Sequence, residues 1–152
     1  MTAPRFLVIG PQGSGKSTFG AMLANALGCD YADTSDWIKR QLRAVLGREP
    51  TRTECVALGD SVKRDEPTFL VARCFAAGAR VACGSRTRDE VDAARRRWPD
   101  LRVVYIARPP GPEAHLDTSF DLDEHDADVV IRPDGLPHAE VCARLLARGW
   151  GR

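Results

Sequence analysis

At 152 residues, with 43% hydrophobic and 28% charged residues and a net charge of +1, the chain reads as one ordinary globular domain, able to bury about two-thirds of its unfolded surface without disulfides or a structural metal. Near-neutral charge excludes a global field toward nucleic acid, so any such contact has to come from a local basic face. Five cysteines (Cys29, Cys55, Cys74, Cys83 and Cys142), with no C-x-x-C pair, and no run long enough for a membrane span point to buried thiols in a reducing compartment and to a cytoplasmic protein without a membrane partner.

Residues 6–9 (Phe-Leu-Val-Ile) form an apolar run that predicts a strand, and Gly10-Pro11-Gln12-Gly13-Ser14-Gly15-Lys16-Ser17 follows directly. The octapeptide matches G-x-x-x-x-G-K-[ST] at every fixed position. Residues 18–27 then show helical spacing, with Phe19, Met22, Leu23, Ala26 and Leu27 on one side and Gly28 as the stop. Strand, glycine-rich loop and helix in this order suit phosphate binding. The glycines let successive backbone N–H groups converge on phosphate oxygens, and the helix start adds its unpaired N–H groups and positive dipole end. Gly10, Gly13, Ser14, Gly15, Lys16, Ser17 and Thr18 are therefore the expected ATP contacts, with Lys16 reaching the outer phosphates and Ser17 binding Mg²⁺ through its hydroxyl.

Residues 29–32 predict a second strand ending at Asp33-Thr34-Ser35-Asp36. Residues 37–46 read as a helix, with Trp37, Ile38, Leu42, Val45 and Leu46 on one face and Lys39, Arg40 and Arg43 on the other, closed by Gly47 and Pro50. Thr51-Arg52-Thr53-Glu54 has the form of a capping box that opens a helix through Cys55, Val56 and Leu58 toward Val62. Pro67 starts another, through Phe69, Leu70, Val71 and Phe75 to Gly78. Residues 80–83 predict the third strand, followed by the loop Gly84-Ser85-Arg86-Thr87 and a very basic helix over 88–98 that stops at Pro99. Residues 101–106 are an apolar strand suited to a sheet centre buried on both faces, 128–131 a shorter last strand, and 136–148 a closing amphipathic helix with Val141, Leu145 and Leu146 inward. Only Lys16, Lys39 and Lys63 are lysines among many arginines, which by itself assigns no function.

This alternation predicts an α/β protein: a three-layer P-loop NTPase fold with a five-stranded parallel sheet and helices on both faces, a single domain over 1–152 with a helical insert at about 36–77. The first, third, fourth and fifth strands are expected to feed helices through short loops. In such sheets ligands gather at the carboxyl ends of the strands, which makes the glycine loop, Asp33 to Asp36, Gly84 to Arg88, Arg108, and Arg132 to Gly135 the candidate positions.

Asp33-Thr34-Ser35-Asp36-Trp37-Ile38-Lys39 resembles the acceptor-site segment of adenylate-kinase-type nucleoside monophosphate kinases, and Cys83-Gly84-Ser85-Arg86-Thr87 resembles their Asp-Gly-Phe-Pro-Arg-Thr motif, shortened by one residue. Arg52 with Leu58-Gly59-Asp60, then Gly84-Ser85-Arg86-Thr87 with Asp89-Glu90-Val91, then Ala127-Asp128-Val129-Val130-Ile131 with Asp134-Gly135 is similar to phage deoxynucleoside monophosphate kinases and to phage kinases acting on hydroxymethylated pyrimidines in DNA. The resemblance implies an ATP-dependent kinase with Mg²⁺, a nucleotide or modified DNA acceptor, Arg86 on an acceptor phosphate, and the cytoplasm of a host cell.

Two departures matter. The strand before Arg86 ends Val-Ala-Cys-Gly without a Walker-B acid, so Asp33 becomes the second candidate for Mg²⁺, much as shikimate-kinase-like enzymes use an aspartate there. Between Arg108 and Asp128, where such kinases carry an arginine-bearing lid, the chain is proline-rich and then acidic. That leaves Arg86, Arg88 and Arg108 as the sources of transition-state charge. Asp36 reads either as general base or acceptor ligand, or as a helix cap together with Ser35. Trp37 either stacks on an acceptor base or belongs to the core. Arg40, Arg52 and Arg64 belong to an acceptor-side insert that would hold a phosphate or DNA backbone, whereas Arg95, Arg96 and Arg97 read as a solvated helix face. His115, His125 and His138 show no metal spacing, and the acidic stretch from Asp117 to Asp128 reads as a solvated loop. The expected catalytic set is Lys16, Asp33, Asp36 and Arg86. The acceptor set is Asp36, Trp37, Arg40, Arg52, Arg64, Arg86 and Arg88. An alcohol on a modified pyrimidine (hydroxymethyluracil or hydroxymethylcytosine) in DNA is the leading acceptor, followed by a deoxynucleoside monophosphate and, in a different class, by a nucleotide-binding module without catalysis.

Overall fold

The computed structural model describes residues 3–108, 112, 120–132 and 137–149, apart from the His138 side chain. Among them the elements run β1 (Phe6–Ile9), α1 (Lys16–Leu27), β2 (Asp30–Asp33), α2 (Thr34–Leu46), α3 (Arg52–Asp65), α4 (Phe69–Ala76), β3 (Ala79–Cys83), α5 (Arg88–Arg97), β4 (Arg102–Ile106), β5 (Val129–Ile131) and α6 (His138–Ala147). The strands pair in the order β2-β3-β1-β4-β5, every pair parallel. This is the expected α/β sheet. β1 lies at its centre, and Val8 stands level with Cys83 on one neighbour and Val104 on the other.

All four residues of β1 are fully buried, and the period of two along the strand divides them between two cores. Phe6 and Val8 pack with Phe19 and Leu23 of α1 and with Val141 and Leu145 of α6, while Leu7 and Ile9 pack with Val71 of α4 and Val91 of α5. Covering both faces is what permits an uninterrupted apolar central strand. A third, smaller core joins the helices between β2 and β3, with Ile38, Cys55 and Leu70 buried and Trp37, Leu42, Leu58, Val62 and Phe69 around them. Gly59 allows α3 to approach α2, since a Cβ there would lie 3.1 Å from Ile38 Cδ1.

Two expectations need correction. The helix expected over 37–46 starts one turn earlier, because Asp33 is the cap in place of Ser35 or Asp36. The Asp33 carboxylate accepts from Ser35 N at 2.9 Å, and Asp36 reaches back to Asp33 N at 3.4 Å, a reciprocal capping box. Between β4 and β5 the described residues include a 3₁₀ turn at Glu124–Asp126, while 109–111 and 113–119, where the fourth strand would feed its helix, lie outside the described residues. The acidic stretch, where described, is exposed at Asp121, Asp123 and Asp128 but is also tied to α5 by ion pairs. Arg88 Nε donates to Asp126 at 2.8 Å, the Arg88 N–H donates to Asp121 at 2.7 Å, and Arg95 pairs with Asp128 at 3.0 Å. Opposite charges 33 to 38 positions apart in sequence find each other once β5 is laid beside β4. His115, Asp117, Asp134 and Gly135 and most of the proline-rich segment lie outside the described residues.

Candidate active site

The loop after β1 owes its shape to glycine. Gly13 (φ 79°) and Gly15 (φ 87°) occupy the left-handed region, which side chains disfavour, and a Cβ on Gly10 would lie 2.7 Å from Ser14 Oγ and 3.0 Å from Ile106 O. The cradle opens onto the first turn of α1, whose residues Lys16, Ser17 and Thr18 line a cleft of about 500 Å³. Ser14 is fully buried beneath the loop.

Across the cleft stands the end of β2. Asp33 Oδ2 accepts from Ser17 Oγ at 2.7 Å and from the Tyr31 hydroxyl at 3.1 Å, while Oδ1 accepts from Ser35 N and Oγ at 2.9 and 2.8 Å. Burial above all, with Cys83 and Asp33 adding, raises the Tyr31 phenol above its ordinary range and keeps it a donor. Ser17 and Asp33 are thus brought together by a direct hydrogen bond. Among the described residues no group of three or more His, Cys, Asp or Glu is placed to hold a metal.

The floor of the cleft is set by Gly84. Its φ of 115° is left-handed, and a Cβ there would run into Thr34 Oγ1. The far wall comes from α2, α3, α4 and the loop after β3, and it is cationic: Lys39, Arg52, Lys63 and Arg86 all line the cleft. Arg86 donates to Asp60 at 2.7 Å from a side chain only 11% exposed. Lys63 is ion-paired with Glu90 in the interior.

Of the residues singled out in the sequence, the cleft brings together Gly10, Gly13, Gly15, Lys16, Ser17, Thr18, Asp33, Asp36, Arg52 and Arg86. Others sit elsewhere. Trp37 packs edge-to-face on Phe69 at 5.0 Å with the Arg73 guanidinium over its ring, so it belongs to the helical core and not to an acceptor stack. Arg88 is turned onto Asp126 and Asp121. Arg40, Arg64 and Arg108 are exposed and line no part of the cleft. Four further arginines of the insert and the basic helix are neutralised, Arg43 by Glu49, Arg48 by Glu54, Arg95 by Asp128 and Arg97 by Glu66, while Arg96 is exposed.

Sequence reasoning named Ser35 only within the stretch Asp33 to Asp36 and missed Tyr31, Lys39 and Lys63 as cleft residues. One signal was available. In a chain whose basic residues are otherwise arginines, all three lysines line this one cleft.

A shikimate kinase family model matches residues 12–48, the stretch from the glycine loop through α2. A shikimate kinase of Streptomyces avermitilis is 58% identical over 36 residues, 24% of this chain and 21% of the relative, so the match spans about a fifth of that relative's length. Solved structures extend the likeness to the whole fold. A shikimate kinase from Acinetobacter baumannii in complex with shikimate superposes with a TM-score of 0.65 at 18% identity, covering 97% of this chain and 93% of its own. An unliganded sugar kinase from a Janibacter species gives 0.59 at 18% identity, covering 96% and 94%. The fold is that of the P-loop kinases.

Proposed function

We propose that the protein is an ATP-dependent kinase that phosphorylates a hydroxyl of a small acceptor carrying an anionic group. The observation that carries this is the convergence, in one cleft, of a phosphate-binding loop, a Ser17–Asp33 pair and a wall of Lys39, Arg52, Lys63 and Arg86. The loop glycines and Lys16 would hold the ATP phosphates, and Ser17 and Asp33 would hold Mg²⁺, whose chemistry would be to draw charge off the outer phosphates.

The two aspartates then divide the remaining work. Both oxygens of Asp33 are engaged by Ser17, Tyr31 and Ser35. Asp36 is exposed, lines the cleft, and among the described residues has only a long 3.4 Å contact from Asp33 N at Oδ2. It is placed to take the acceptor proton. As the acceptor oxygen bonds to the γ-phosphorus, the bridging P–O bond to the β-phosphate breaks, ADP leaves, and the hydroxyl proton passes to the Asp36 carboxylate. The cationic wall orients the acceptor by its anionic group.

The relatives named above are a shikimate kinase and a sugar kinase, which favours a small hydroxylated acceptor over a base in DNA. The pairing of Arg43, Arg48, Arg95 and Arg97 with carboxylates weighs the same way, since a neutralised surface has few counterions to release from DNA phosphates. The deoxynucleoside monophosphate reading keeps one observation in its favour, the position of Arg86 in the acceptor wall. The test is ADP release from ATP with shikimate, D-gluconate or a deoxynucleoside monophosphate. Acceptor-dependent release with either acid, lost in Asp36→Asn, is expected. Release only with the nucleotide would move the acceptor to that class, and none with any acceptor would remove the kinase reading.

A further inference from the structure

The helix α3 meets the loop after β3 and the first turn of α5 through two ion pairs. Asp60 and Lys63, three positions apart on one face of α3, take Arg86 and Glu90 as partners. In each pair the cation also lines the cleft. Glu90 holds both ends of this arrangement: one carboxylate oxygen carries the Lys63 ammonium, and the other accepts the backbone N–H of Arg86 at 2.7 Å. Its side chain is 5% exposed and that of Lys63 9%. A buried carboxylate is costly unless its oxygens are well satisfied, and these two are satisfied by the residues on which the acceptor wall depends. The loop is held on its other sides as well, by Asp121 N donating to Arg86 O at 3.0 Å and by the Thr87 hydroxyl capping α5 at Glu90 N.

We propose that Glu90 is a positioning residue for the acceptor: it never meets the acceptor itself, but sets where Lys63 and Arg86 present their charges. This rests on the kinase reading for its consequence in turnover, though not for its geometry. Glu90→Gln keeps the shape and an oxygen for the Arg86 N–H but removes the charge that holds Lys63.

The first measurement is backbone amide exchange together with titration of inorganic phosphate, both on protein loaded with a non-hydrolysable ATP analogue. In Glu90→Gln the Arg86 amide should exchange about tenfold faster, as when a charge-assisted hydrogen bond becomes a neutral one, and phosphate should bind about tenfold more weakly, with the glycine-loop amides unchanged. The second is steady-state kinetics with shikimate or gluconate, where KM for the acceptor should rise about tenfold while KM for ATP and kcat stay within about twofold. The double variant Lys63→Met/Glu90→Gln serves as the folding control, because it leaves no unpaired buried charge. It should melt close to the wild type yet keep the high acceptor KM. Unchanged Arg86 exchange and phosphate affinity in Glu90→Gln, or recovery of phosphate affinity along with melting temperature in the double variant, would overturn the proposal. Wild-type protein that turned over neither acid would count against the acceptor reading, while exchange and phosphate binding would still decide the role of Glu90.

Discussion

The two walls of the cleft are built from different materials. On the ATP side the shape is main chain: glycines at φ 79° and 87° and the opening turn of α1, with Lys16 and Ser17 as the side chains the chemistry needs. On the proposed acceptor side it is side chain, a set of cations from two helices and a loop, two of them held in place by buried or half-buried carboxylates. Main-chain sites tolerate little change, because adding a Cβ alters the backbone itself. Side-chain walls can be retuned one residue at a time, which is how one fold comes to serve several acceptors. The family match ends at residue 48, just before α3 begins to contribute its share of that wall.

The largest break in this contrast should come from Lys16→Ala, which removes the charge that reaches the outer phosphates. Transfer should fall by at least about a hundredfold, the usual cost of losing a preorganised charge in the site, whichever acceptor is used, as read by initial rates at saturating ATP. Next is Gly84→Ala. The left-handed backbone alone costs about 1–3 kcal/mol for a side-chain residue, and the new methyl runs into Thr34 Oγ1, so the thermal midpoint should drop by several degrees. Adding Thr34→Ser, which keeps the hydroxyl, should recover little of it, whereas Thr34→Ala should recover the part due to overlap.

Lys39→Met touches the acceptor wall only. It should raise the acceptor KM about tenfold and leave the KM for ATP alone; equal rises in both would erase the distinction between the walls. The smallest effect belongs to the outer rim of the insert. The Arg48 guanidinium, helped by the Thr51 backbone, holds the Glu54 carboxyl down at about 2. A lowered folded-state value means that the contribution to stability is present above the ordinary carboxylate range and is lost as pH falls toward 2. Melting curves of wild type and Glu54→Gln should therefore differ slightly at neutral pH and converge near the acid limit. The pair is exposed, so added salt should shrink the difference as well.

What could be read from the chain was what is local. The glycine loop, the apolar β1 and the Thr51/Glu54 capping box involve residues within a few positions of one another, and each is found where expected. The start of α2 was misplaced because Asp33, Ser35 and Asp36 are all good caps, and only the closed geometry shows that Asp33 wins. The acceptor wall was half legible: Arg52 and Arg86 stood out, while Lys63 and Glu90 take their meaning from a contact between α3 and α5 that no local pattern encodes. Arg88 was misjudged for the same reason. An arginine after a strand looks available to a phosphate until the acidic segment, 38 positions on at Asp126, is laid against it.

The most direct measurement offers γ-labelled ATP at once to shikimate, D-gluconate, deoxynucleoside monophosphates and duplex DNA containing hydroxymethyluracil or hydroxymethylcytosine. Label on a small hydroxylated acid, absent in Asp36→Asn, is the expected result. Label on the modified duplex alone would contradict the small-acceptor cleft and return the chain to DNA-base phosphorylation.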